Sequence, residues 1–203
     1  MALGADDRAS WKGGNVPVNA RTHLLGGLVV ASGVAATGML GHPWALALAS
    51  SLGSLLPDWD HPQSTLGRWL PWPSVSRSRG PHVPPMVGRA GWPHPIWHRH
   101  QAHSLVGITL AVAVVWIGLV GLWSALPPGL GHGLVPWGVV AAGLWLGSLS
   151  HLILDGFNET PQWWLWPFSQ RGFRWPWHGS VRTWDGPMAL GLVGLLLVLW
   201  LWR

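Results

Sequence analysis

Cysteine does not occur in this chain. Its absence excludes a disulfide framework, a thiolate zinc site and a cysteine nucleophile, so any metal must be held by His, Asp or Glu. Tyrosine is missing as well, and Lys12 is the only lysine. Charge is scarce: 9% of residues are Asp, Glu, Lys or Arg, against about 25% in an ordinary soluble domain. A soluble globule needs more charge than this to cover its surface. A disordered chain would hold far fewer apolar residues than the 49% found here. A polytopic membrane protein is the class that remains. Trp, Gly and Pro are plentiful at 19, 28 and 18. A GC-rich genome produces that bias, so tryptophan number alone does not mark a ligand site.

Apolar runs extend from Leu24 to Leu40, Trp44 to Leu56, Ser104 to Leu126, Leu134 to Leu154 and Pro187 to Trp202. About 20 apolar residues are needed to span the hydrocarbon core as a helix. The third and fourth runs qualify outright, the first is just long enough, and the second and fifth are short. The second could be re-entrant. The expected fold is all-α: a membrane bundle of about five transmembrane or re-entrant helices, with four as the alternative. Residues 1–22 form a polar tail and residues 23–203 one membrane-embedded domain. A Pro/Trp-rich loop lies between Pro57 and His103.

The basic residues orient this bundle. With five alternating spans and an internal N-terminus, the inner segments hold eleven of the twelve Lys and Arg residues, and only Arg203 lies outside. Cytoplasmic loops carry such an excess, which puts the N-terminus on the cytoplasmic side. The net charge of +5 is then mostly topology, and no nucleic-acid partner is expected. A cleaved signal peptide over residues 21–40 fits poorly with the polar tail and the lack of a small-x-small site.

Histidines and aspartates gather on the inner boundary of this topology. His23 opens the first helix, and Pro57-Asp58-Trp59-Asp60-His61-Pro62 follows the second. His98 and His103 precede the third helix, and His151 and Asp155 close the fourth. The last two are four apart on a helix, hence on one face. Eight donors result: His23, Asp58, Asp60, His61, His98, His103, His151 and Asp155. Mixed imidazole and carboxylate ligands suit Zn²⁺, Mn²⁺ or Fe²⁺. Eight are too many for one tetrahedral ion and about right for two. Other readings exist for each group. The His151/Asp155 pair could be a hydrogen-bonded couple, and Asp58 and Asp60 could cap a helix. His42, His82, His94, His132 and His178 are expected to cap or hydrogen-bond, and His100 falls either way. Trp163, Trp164, Trp166, Trp175 and Trp177 read as an interfacial belt, and Gly143 and Gly147 as helix-packing contacts.

At these residues the sequence resembles the YdjM-like bacterial inner-membrane, metal-dependent hydrolases, also described as LexA-binding. The matching stretches are Arg21 to Gly26, Gly53 to Pro62 with Gly67-Arg68, and His98-Arg99 with His103-Ser104. Ser150 to Asp155 and Trp166-Pro167-Phe168 complete them. The chain departs from the pattern at His100, Ala102, Asn158 and Asp185, where Gly, Thr, Thr and Glu are expected. None of these departures removes a ligand, although Asp185 becomes a weaker candidate. Through a distant likeness to zinc-dependent phospholipases C and single-strand nucleases, the resemblance implies phosphoester hydrolysis.

Taken together, these readings lead to an expected membrane-bound hydrolase using a metal-activated water on a membrane-borne phosphoester. In that expectation Asp60 is a bridging ligand or general base, and Arg68 or Arg99 orients the phosphate through bidentate contacts. Arg99 is also placed among the catalytic groups. Its surroundings are the lipid bilayer, and residues 62–97 could bind a protein partner. The alternative is a non-enzymatic scaffold or a metal-binding or transport protein. Transport fits less well, because stretches such as Leu105 to Leu122 carry no ionisable group at mid-membrane.

Overall fold

The structure is a computed structural model that describes residues 20–59, 64–66, 101–127, 135–159, 161–179 and 181–201. Within these residues the chain forms five helices: α1 (Ala20–Ala36), α2 (Pro43–Gly53), α3 (Leu105–Ser124), α4 (Trp137–Asp155) and α5 (Val181–Leu201). A 3₁₀ turn, Leu56–Asp58, follows α2. The expected all-α bundle is what the structure contains.

Local chemistry sets the helix ends. Gly38 ends α1 at a φ of 68°, a left-handed conformation that glycine adopts without steric cost. Pro43 then starts α2, where its missing N–H costs nothing. Ser104 caps α3, its hydroxyl accepting from the Gly107 amide at 2.9 Å. The last helix differs from expectation. Its apolar run begins at Pro187, yet the helix begins at Val181, and Pro187 sits one and a half turns inside it. One polar residue before Pro187, Asp185, has a partner inside the protein, accepting from Thr22 Oγ1.

Among the described residues, three helices are long and apolar enough to cross a membrane: α3, α4 and the Trp184–Leu201 part of α5. They differ in what covers them. In the spanning window 44% of α4 is buried inside the protein, against 11% for α3 and none for α5. α4 is therefore the central post, and α3 and α5 present their apolar sides outward, where lipid is their natural solvent. α2 has 11 residues, about 16 Å at 1.5 Å per residue. That is short of the 30 Å core, in keeping with a re-entrant element.

Small residues let α1, α2 and α4 close tightly, as the Gly143 and Gly147 spacing predicts. A Cβ on Gly143 would stand 2.7 Å from that of Ala49, and one on Gly147 would collide with the Ser50 carbonyl oxygen. Two hydroxyls bond across the contacts: Ser50 donates to the Gly27 carbonyl at 2.8 Å and Ser148 to that of Gly53 at 2.9 Å. Each such bond inside a membrane bundle contributes roughly 0.6 kcal/mol, so close packing over the whole seam does most of the holding.

Candidate metal centre

Five of the candidate ligands lie among the described residues, each at or near the end of an element, and they meet at one end of the bundle. His23 lies in the first turn of α1 and is buried. Gly26 brings α1 close enough to α4 that an added Cβ would stand 2.6 Å from Leu154 Cδ1. Asp58 ends the 3₁₀ turn. Buried Pro57 stiffens that turn, and Ser64 closes it by donating its hydroxyl to the Asp58 carbonyl at 2.7 Å. His103 immediately precedes the Ser104 cap, so the start of α3 sets its direction. His151 and Asp155 occupy the last turn of α4, one turn apart.

The side chains meet. His151 Nδ1 lies 2.7 Å from the Ser54 carbonyl oxygen. A carbonyl only accepts, so in the neutral ring Nδ1 carries the proton and Nε2 turns a lone pair inward. That Nε2 is 3.2 Å from His103 Nε2, 3.6 Å from Asp58 Oδ1 and 3.6 Å from Asp155 Oδ2. His103 Nε2 is in turn 3.5 Å from Asp58 Oδ1 and 3.3 Å from Asp155 Oδ2. Magnitudes decide what these spacings mean. An imidazolium–carboxylate hydrogen bond closes to about 2.7–2.9 Å. Ligand atoms around a tetrahedral ion with bonds of about 2.0–2.1 Å stand about 3.3–3.4 Å apart. The five separations match the second case.

His23 extends the cluster. Its ring stacks on that of His151, with centroids 3.7 Å apart and an interplanar angle of 12°. Its Nε2 lies 3.5 Å from Asp155 Oδ1. Two triads of potential ligands result, His103/His151/Asp155 and His23/Asp58/His151, and they share His151. Among the described residues His23 Nδ1 is buried with no hydrogen-bond partner, a state that costs about 1–3 kcal/mol unless something satisfies it. Asp155 Oδ1 accepts from Asn158 Nδ2 at 2.9 Å, which orients the carboxylate from behind as metal sites commonly require. Two carboxylates, one buried and one half-buried, with inward lone pairs between them, favour a positive charge at their meeting point. A borderline divalent cation fits that donor set.

Five of the eight expected ligands therefore converge: His23, Asp58, His103, His151 and Asp155. Asp60, His61 and His98 lie outside the described residues, as do Arg68, Arg99, His82, His94, His100 and His132. Asp185 holds a different place. Its Oδ1 accepts from Thr22 Oγ1, so it ties α5 to α1 beside His23. His178 hydrogen-bonds the Trp175 carbonyl at 3.0 Å, as expected of it. His42 starts α2 at a φ of 57° without a side-chain cap bond.

Sequence reasoning missed two groups that support the cluster and one buried amide in the segment after α4. The Ser54 carbonyl carries no side-chain signal at all. Asn158 stood out only as a departure from a family pattern, although its place one turn after Asp155 was readable. Gln162 is the third. It is fully buried, its backbone pairs with that of Phe173, and its Oε1 accepts from Trp164 Nε1 at 3.2 Å. Because indole N–H only donates, that bond fixes which way the amide points. Its Nε2 is left without a partner among the described residues.

The family model of the YdjM inner membrane protein matches residues 18–203, which include every described member of this cluster. The chain belongs to the YdjM inner membrane protein family. It is 30% identical over 135 residues to the inner membrane proteins YdjM of Escherichia coli (strain K12) and of Shigella flexneri. That alignment covers 66% of this chain and 54% of each relative, so the chain spans about half the length of the curated relatives it matches. No solved structure matches it. Family and apolar helices together make this an inner-membrane protein of the YdjM kind, with a His/Asp cluster able to hold a metal ion.

Proposed function

We propose that the chain is a membrane-embedded, metal-dependent hydrolase acting on a phosphoester carried at the membrane surface. The supporting observation is the buried meeting of imidazole nitrogens and carboxylate oxygens at cation spacing. His103, His151, Asp58 and Asp155 would hold a divalent cation, zinc foremost, and His23 would complete a second position sharing His151. A cation there supplies activation of a water nucleophile and offsets charge developing on a phosphoryl group.

The protein's own groups do the rest. Ser54 and Asn158 hold His151 and Asp155 in ligating orientation. Of the four donors compared, Asp58 is the one with an appreciably exposed side chain, at 20% against at most 5%. It therefore marks the side from which substrate arrives. Asp60, two residues on, is assigned the proton from water, and Arg68 or Arg99 the phosphate. The distribution of Lys and Arg supports a cytoplasmic setting for this end of the bundle and for the N-terminus.

The test is elemental analysis of detergent-purified protein followed by turnover of bis(p-nitrophenyl) phosphate with and without chelator. Bound metal and chelator-sensitive turnover, both lost in His151→Ala/Asp155→Ala, are expected. Stoichiometric metal retained in that double variant would overturn the ligand assignment. Metal without hydrolysis of any phosphoester would leave a metal-binding membrane protein and remove the enzyme.

A further inference from the structure

The segment between α4 and α5 carries its own small core and a bare apolar tip. Gln162 and Phe173 pair as an antiparallel bridge, their amides and carbonyls exchanging bonds of 2.8 and 2.6 Å. On one face Trp164 lies 4.3 Å from Phe173, and Phe173 lies 4.9 Å from Trp175, ring centroid to centroid. Trp175 Nε1 also donates to the Ile153 carbonyl at the end of α4, at 3.0 Å. This hairpin is thus stiff and anchored. At its turn stand Leu165, Trp166, Pro167 and Phe168, of which Leu165 is 57% and Phe168 86% exposed.

Water is a poor solvent for four apolar residues in a row on a rigid turn, and α3, apolar and long enough to span a bilayer, adjoins them. The Leu105 amide donates to the Trp164 carbonyl at 2.9 Å. That bond pins the hairpin to the first residue of α3, the helix with only 11% of its window buried. The apolar tip is therefore continuous with a membrane-facing surface, at the end of α3 where the hydrocarbon gives way to head groups. Exposed Arg171 and Arg174 follow the tip, where their charges suit lipid phosphates. Tryptophan and phenylalanine on one side with arginine on the other is the composition of an interfacial anchor.

We propose that the Leu165–Phe168 turn inserts into the head-group region of the bilayer as a wedge. Because Leu105 adjoins the Ser104 cap and His103, the wedge sets the depth of the metal centre and opens it toward lipid head groups rather than bulk water. This placement supports a membrane-borne substrate, yet it is measured without turnover and stands or falls apart from the hydrolase reading.

The chain has no cysteine, so a single introduced thiol gives a unique label. Phe168→Cys, Leu165→Cys and, as the control, Arg171→Cys are spin-labelled in the full-length protein reconstituted into phosphatidylglycerol/phosphatidylethanolamine vesicles. Collision with oxygen is compared with collision with a water-soluble nickel chelate. Positions 165 and 168 are expected to favour oxygen several-fold over position 171. Nickel accessibility at 168 equal to that at 171 would overturn the proposal. Protection of 165 and 168 from both reagents would overturn it equally, since the tip would then be covered by protein.

Discussion

His103 and His151, 48 positions apart, present their Nε2 atoms to one another at 3.2 Å. Nitrogens turned inward this way need a proton or a cation between them, and the carboxylates of Asp58 and Asp155 on the same spot favour the cation. Replacing either ring by alanine removes one ligand and leaves the rest aimed at an incomplete site. His103→Ala and His151→Ala are each expected to purify with far less bound metal than the parent protein, read by elemental analysis at equal protein. His42→Ala, at the start of α2, should leave the metal content unchanged.

Asn158 acts one step further out. It is not itself a ligand but donates from Nδ2 to Asp155 Oδ1 at 2.9 Å. Loss of such an outer partner typically lowers metal affinity by about 10–100-fold. Asn158→Ala should therefore keep the site and weaken it by about that factor, measured by competition with a chelating dye. Asn158→Asp should weaken it too, because a second carboxylate replaces the donor with a repelling acceptor.

Acid should release the metal. An imidazole ligates only when its coordinating nitrogen carries no proton, so binding a cation expels protons and falling pH favours the free site. With three histidines in the cluster the loss should be steeper than for a site of carboxylates alone. Retained metal after equilibration across a pH series, neutral to mildly acidic, measures it. An affinity unchanged over that range would place the ion elsewhere.

The tight seam gives a stability prediction. Gly147 faces the Ser50 carbonyl with no room for a Cβ. Gly147→Val must push α2 from α4, and overpacking of this kind costs about 1–3 kcal/mol or more. Because Ser54 orients His151 from the end of α2, the same substitution should lower metal content as well as thermal stability in detergent. Gly118→Val, where nothing lies within 4 Å, should do neither.

Much of this was legible in the chain before folding. The Ser104–Leu126 and Leu134–Leu154 runs mark α3 and α4 within a few residues, since length and apolarity decide a span. The gathering of His23, Asp58, His103, His151 and Asp155 was readable because alternate spans must return to the same side. Sequence could not show the spacings at that layer, which depend on how far Gly26, Gly143 and Gly147 let the helices approach. Nor could it show Ser54, whose contribution is a backbone carbonyl. The start of α5 was misjudged for a physical reason: Pro187 looks like a boundary, but the ends of a bundle carry polar helical turns too.

The shortness of α1 and α2 reaches beyond the site. With 17 and 11 residues they rise about 25 and 16 Å, while α3 with 20 residues rises about 30 Å. By length alone, the α1–α2 pair offers lipid a shorter apolar wall than α3 does. A wall shorter than the hydrocarbon core is accommodated by local thinning of the bilayer or by snorkelling of flanking residues, at a modest cost per ångström of mismatch.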